Sequence, residues 1–286
     1  MTQETKPPRP TINPASAPMR LLAHLPAFLL LSTLIAVPAH AQATWYLTAD
    51  MAKGASWRNP AFWNSAPDGS GKPAAAINPA DTYDTNGHYV RANGLFPGGK
   101  LLQNGGRIDM KRASQTIAGD WEITGAKASL HQGIRNGASY LFTVSHLILT
   151  SPLLVFHSTD GMRGIDLTIG VLTGPSDLAI GSGNPARNTV VSLGVLNFDH
   201  YTGKIVVTTG STLMFANDQT WTGPLDVASG AHLTLNKTVS VPSATLDGKP
   251  VPAGTYTAAQ LSQLCAGILI DGSDGTLTVT APAPTK

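Results

Sequence analysis

The side chains able to do acid, base or metal chemistry are few and scattered. Four aspartates, Asp160, Asp166, Asp177 and Asp199, are spaced so that a repeating fold could bring them to one face. Glycoside hydrolysis needs two carboxyls flanking the scissile bond, so such a cluster would be the natural place to look for it. The competing reading is structural, because aspartate beside Gly, Ser or Thr ordinarily caps a turn. His131, His146, His157 and His200 could form a row along the same fold, or could simply be exposed turn and strand residues. No His-x-His, His-Glu-x-x-His or Cys-x-x-Cys spacing occurs, so neither a metal site nor a cofactor is expected. Asp271-Gly272-Ser273-Asp274-Gly275 lacks the ligand spacing of a helix-loop-helix calcium site. Gly69-Ser70-Gly71-Lys72 is not a phosphate loop, since Ala66 stands where its first glycine belongs.

Trp57, Phe62 and Trp63 place three large aromatics within seven residues. They are the carbohydrate-stacking candidates, because flat sugar faces pack on indole rings; plugging the end of a hydrophobic core would use the same residues. The single cysteine, Cys265, cannot form an internal disulfide, and its neighbours Leu264, Ala266 and Ile268 favour a small buried hydrophobe over a reactive thiol. Lys111-Arg112 is the only adjacent basic pair and reads as a solvated turn.

The chain has 286 residues, 42% hydrophobic and 13% charged, which is enough apolar material for one sizeable core and too little charge for a disordered protein. Fifteen aspartates stand against Glu4 and Glu122 alone, so the glutamate-rich faces of exposed helices are missing and a helical bundle is disfavoured. Lys6, Arg9 and Arg20 precede an apolar run from Leu21 to Val37, followed by Ala39-His40-Ala41, the small-x-small pattern of a cleaved signal peptide. An amino-terminal anchor is the alternative, but His24 and Pro26 cut the clean apolar run below the roughly 18–20 residues that a spanning helix needs. The expectation is a secreted or extracytoplasmic protein with no stable transmembrane segment after cleavage. Removing residues 1–41 leaves sixteen cations and sixteen acids, so nucleic acid is not an expected partner.

Residues 42–94 are rich in Trp, Pro, Asn and Asp with little periodicity, and predict an irregular N-terminal cap. From residue 95 the texture changes to strand-sized apolar or alternating runs broken by Gly, Asn, Asp and Ser, such as Leu153-Leu154-Val155-Phe156 and Ile205-Val206-Val207. The runs repeat. Tyr201-Thr202-Gly203 returns as Trp221-Thr222-Gly223, and Gly210-Ser211-Thr212-Leu213 as Gly230-Ala231-His232-Leu233, each at an offset of twenty. A second echo joins the segment from Thr173 to Gly181 with that from Thr222 to Gly230. A twenty-residue unit cannot bury its apolar face alone and must stack on its neighbours.

The expected fold is therefore all-β: a single-stranded right-handed parallel β-helix, or solenoid. Residues 95–246 would supply about six or seven coils, spaced about 4.8 Å apart. A β-sandwich is the rival architecture, and the Asn-Gly pairs at 86–87, 93–94, 104–105 and 136–137 would be its hairpin turns. Residues 247–280 predict a small C-terminal cap. In it Thr257-Ala258-Ala259-Gln260 forms a capping box that opens one short helix over about 258–265, and Ile268–Ile270 and Thr276–Val279 form a last strand pair. Residues 281–286 predict a disordered tail.

The stretch Phe198-Asp199-His200-Tyr201-Thr202-Gly203-Lys204-Ile205-Val206-Val207-Thr208-Thr209-Gly210-Ser211-Thr212-Leu213 resembles the autotransporter-associated β-strand repeat. The segment from Leu246 to Leu261, with Gly275-Thr276-Leu277-Thr278-Val279, is similar to the endings of exported bacterial proteins that carry it. The resemblance covers about residues 95–280. It implies a passenger-like β-helix and supplies no catalytic residues. No region after Leu277 could form a membrane barrel, so self-export is not implied. Many β-helix proteins act on polysaccharides, but the Asp-Asp, Gly-His-Gly and Arg-x-Lys strings of the pectin hydrolases are absent. The expectation is a non-catalytic structural or adhesive surface module, with a cell-surface glycan or matrix polysaccharide as its partner. The alternative is a polysaccharide lyase or hydrolase, or a glycan binder, on the same scaffold.

Overall fold

In a computed structural model the described residues are 42–133, 139–157, 164–181 and 188–280. The leader 1–41, the tail 281–286, Asp160 and the pair Asn136-Gly137 lie outside them. The described chain is all-β, with one short 3-10 turn, Pro60–Phe62, and one α-helix, Ala258–Leu264. Its strands form a large, mostly parallel sheet and a second sheet of four strands.

Alternation along the strands decides which side chains face inward, since successive residues point to opposite faces. Strand Leu153–His157, for example, buries Leu153, Val155 and His157 and leaves Leu154 and Phe156 half-buried. The inward residues of successive strands pair in parallel register along three rows. In the first, Tyr83 pairs with Leu101, Leu101 with Trp121, Trp121 with Leu147, Leu147 with Leu172, and Leu172 with Phe198. In the second, Val90, Ile108, Leu130, Val155, Ile180, Val207, Val227 and Leu246 follow one another, each paired with the next. All eight are fully buried. Each such side chain contributes about 1.5–3 kcal/mol relative to exposure, so the row is a main source of stability. In the third, Phe96, Ile117, Val144, Ile169 and Val195 pair in turn. Strand Arg107–Gly125 contributes to all three rows, passing from the third to the first across a register break between Ile117 and Asp120.

The twenty-residue offset in the sequence is a register. Ile205 pairs with Leu225, Val207 with Val227, Thr212 with His232 and Leu213 with Leu233. The echo between Thr173–Gly181 and Thr222–Gly230 is not. It would place Leu178 opposite Val227, whereas Leu178 pairs with Ile205 and Ile205 with Leu225. A slip of two residues keeps every side chain on its face, so the apolar pattern cannot detect it.

Parallel pairing also reaches further toward the amino terminus than residue 95. Thr44–Leu47 pairs with Thr82–Asp84, that strand with Lys100–Asn104, and Val90–Phe96 with Arg107–Gly125. Asn86-Gly87 does not close a hairpin. The strands it joins, Thr82–Asp84 and Val90–Phe96, each pair with a strand one repeat further on. Its positive φ values, 51° and 75°, turn the chain from the first row to the second.

At the other end Thr257 accepts from the Gln260 amide, and the Gln260 side chain accepts from the Thr257 amide, which starts helix Ala258–Leu264 as the sequence indicates. The expected last strand pair is corrected. Leu269–Asp271 pairs in parallel with His232–Thr234, while Thr276–Val279 pairs with Val239–Val241 and, antiparallel, with Gly254–Thr257. Each of the two segments extends an existing row, which satisfies its backbone groups more fully than an isolated two-stranded pair would.

Buried glutamines close the corners. The Gln103 amide donates to the carbonyls of Gly106 and Ser129, and the Gln115 carbonyl oxygen accepts from the Gly94 amide. The Gln219 amide donates to the carbonyls of Val195 and Asn217. Turns that cannot bond to a neighbouring strand find partners inside the core in this way.

Candidate functional site

Strand Arg107–Gly125 opens on the alternation Arg107-Ile108-Asp109-Met110-Lys111. Ile108 and Met110 point into the core, so Arg107, Asp109 and Lys111 share the opposite face. Parallel register adds Arg91 on one side of Asp109 and His131 on the other, with Phe156 beyond His131. Although outward-facing, Asp109 keeps only 2% of its surface exposed and His131 only 5%.

A carboxylate that deep must be paired, and Asp109 is. Its Oδ1 lies 2.5 Å from His131 Nδ1, and its Oδ2 contacts both the Lys111 ammonium and the Tyr89 hydroxyl. Arg91 donates to the Tyr89 hydroxyl at 3.5 Å. The Arg107 guanidinium lies over the Tyr89 ring, 4.8 Å from its centre, with Lys111 Nζ at 5.9 Å. The His131 ring packs against Phe156, centroid to centroid at 4.7 Å. Burial, and then the nearby charges of Arg91 and Arg107, hold the Lys111 ammonium down at about 8.

Beside this cluster opens a pocket of about 460 Å³, lined by Asp50, Gly87, Tyr89, Gly106, Arg107, Lys127 and Ser129. Asp50 is engaged by the Tyr89 amide at 2.8 Å and by His88 Nδ1 at 3.3 Å. Charge and polarity therefore concentrate on one outer patch of the second row.

The residues singled out from the sequence go elsewhere. Trp57 and Trp63 are fully buried, with Trp57 5.3 Å from Phe96 and Trp63 5.2 Å from Tyr83 between ring centres. The Trp63 indole N–H donates to the Trp57 carbonyl, and Phe62 is half-buried against the same core. The two indole faces are thus closed to a sugar, and the aromatics plug the core. Asp166 stands on the outward face of the third row, where burial pushes its carboxyl up; Asp177 accepts from the Lys204 amide at 3.0 Å; Asp199 is exposed beside His200. These three do not converge. The histidines form no row: His131 pairs with Asp109, His146 lies between Asp120 and Thr173, buried His157 accepts from the Val190 amide, and His200 is exposed. Lys111-Arg112 lies inside a strand, not a turn. Cys265 is buried, and burial pushes its thiol up, away from reactivity.

Sequence reasoning missed Tyr89, Arg91, Arg107, Asp109 and Lys127. The signal was the charged-apolar alternation of residues 107–111, but a partner eighteen or twenty-two residues away appears only once the register is known. A second polar set lies on the outward face of the first row, where Lys100 Nζ meets Glu122 Oε2 at 3.1 Å and Asp120 meets His146 at 3.2 Å. Among the described residues no group of three or more His, Cys, Asp or Glu side chains is placed to hold a metal ion, and no helix is long and apolar enough to cross a membrane. Comparison of the chain with family models, with curated proteins and with solved structures found no match.

Proposed function

We propose that the chain is an exported, single-stranded, right-handed parallel β-helix that serves at the cell surface as a non-catalytic structural or adhesive module. The observation that carries this reading is the second row: eight consecutive, fully buried aliphatic residues joined only by parallel pairing. Steps of 18–27 residues between paired strands fit one strand per row in each coil. The signal-like leader supports export, and the likeness of residues 198–213 to the autotransporter-associated repeat supports a passenger-like role. Asp177 serves a turn, and Asp166, Asp177 and Asp199 do not converge on one place, which speaks for a non-catalytic reading.

The reading is tested in two parts. Cell fractionation of the full chain, with and without residues 1–41, should place only the intact chain outside the cytoplasm. The purified protein should bind a polysaccharide without degrading it. One observation favours the alternative, a polysaccharide-acting enzyme: Lys111, held at about 8, could serve as a base. Ultraviolet absorbance from unsaturated uronate ends, or new reducing ends, on incubation with acidic polysaccharides would establish that alternative in place of the adhesive role.

A further inference from the structure

We infer that the pocket over Tyr89, Arg107, Lys127 and Ser129 binds the carboxylate-bearing sugars of an acidic polysaccharide. This deepens the adhesive reading and rests on it for the polymer, while the site itself stands on its own geometry. Two observations converge. The first is charge: Arg107 and Lys127 line the cavity, with the Lys111 ammonium over the same Tyr89 ring that Arg107 covers. Asp109 already serves His131, Lys111 and Tyr89, which leaves Arg107 and Lys127 to meet an anion. Ser129 and Asp50, which also line the pocket, offer a hydroxyl and a carboxylate to sugar hydroxyls. A guanidinium matches a carboxylate in a two-pronged geometry, and an ammonium adds a point charge.

The second observation is backbone conformation. At successive levels of one turn stand Gly87, Gly105 and Lys127, all at positive φ: 75°, 78° and 64°. Glycine adopts this conformation freely and a lysine does not, so the fold alone would favour glycine at position 127. Strain of this kind collects where a side chain is wanted for contact. Gly106, which also lines the pocket, has no room for a side chain: a Cβ there would lie 2.5 Å from the carbonyl oxygens of Gly87 and His88. At position 127, by contrast, the lining carries a cation where the backbone would favour glycine.

The test measures binding of polygalacturonate, dextran and inorganic phosphate to the folded exported chain and to two variants, Lys127→Gly and Arg107→Gln. The expected result is that the wild-type chain binds polygalacturonate and not dextran, and that either variant weakens binding about tenfold. Lys127→Gly should melt no lower than the wild type, so its loss of affinity cannot be ascribed to unfolding. Polygalacturonate binding that neither variant changes would overturn the site and leave the adhesive reading standing. Binding of dextran alone would overturn the acidic-sugar assignment only. Failure to bind either polymer would overturn both the site and glycan adhesion. Displacement of the polymer by phosphate at equal concentrations of phosphate and uronate units would show a site for small free anions and overturn the saccharide assignment.

Discussion

Asp109 keeps almost no exposure among Lys111, His131 and Tyr89, so removing its charge strands the Lys111 ammonium and takes a strong acceptor from His131 and Tyr89. Breaking a buried ion pair from one side costs about 3–5 kcal/mol. Asp109→Asn should lower stability by that amount in a urea titration; a loss under about 1 kcal/mol would mean that water reaches the cluster. Tyr201 makes a different prediction. Its hydroxyl accepts from the Leu178 amide at 3.2 Å and donates to the Lys204 carbonyl at 2.7 Å, and burial raises its pKa well above the ordinary tyrosine value. A group with a raised folded pKa contributes stability that is intact below its unfolded pKa, about 10 here, and is lost as pH rises beyond it. Melting temperatures should therefore fall more steeply above pH 10 in the wild type than in Tyr201→Phe. Equal slopes would remove Tyr201 from the account. At this scale the sequence revealed residue types but not partners. Asp109 sits among charged residues whose meaning depends on a register step. For Trp57 and Trp63 the sequence left sugar stacking beside core plugging, because aromatic spacing says nothing about which side of a wall the rings occupy, and their full burial favours the plug.

Between residue and molecule lies the repeated aromatic-Thr-Gly turn. Tyr201 and Trp221 are buried, the Thr222 hydroxyl donates to the Tyr201 carbonyl one level away at 2.8 Å, and Gly203 and Gly223 let successive turns touch. A Cβ on Gly223 would stand 1.9 Å from the Gly203 carbonyl oxygen. Gly223→Ala should therefore cost at least about 1–3 kcal/mol, measured by thermal or urea unfolding, even though Ala is the smallest change available. In the helix Ala258–Leu264, Thr257→Ala should cost about 1 kcal/mol by removing the capping box. The box was legible because its residues are three apart and need no tertiary information. The partners of Leu269–Asp271 and Thr276–Val279 were not: the short turn between them resembles a hairpin, and the strands that claim them lie far back in the chain. The out-of-register echo at Thr173–Gly181 has the same origin, since a two-residue slip preserves inward and outward faces.

For the chain as a whole, an all-β fold was legible because strand-sized runs and their parallel pairing leave a period in the sequence. The twenty-residue echo is the pairing of Ile205 with Leu225 and of Leu213 with Leu233. Elsewhere the steps lengthen, to twenty-five between Leu130 and Val155 and twenty-seven between Ile180 and Val207, and the added residues blur the repeat. Along each row a strand lies beside the strand one step on, in parallel. The most direct measurement is disulfide trapping with Cys265 replaced by Ala. Val206 pairs with Asp226, and Asp226 with Thr245, on the outward face of the second row. Adjacent partners lie about 4.8 Å apart, within reach of a disulfide, and residues two strands apart lie at about twice that distance. Val206→Cys with Asp226→Cys should cross-link readily under mild oxidation, and Val206→Cys with Thr245→Cys should not. Cross-linking of the second pair in place of the first, or of neither, would contradict the parallel stack.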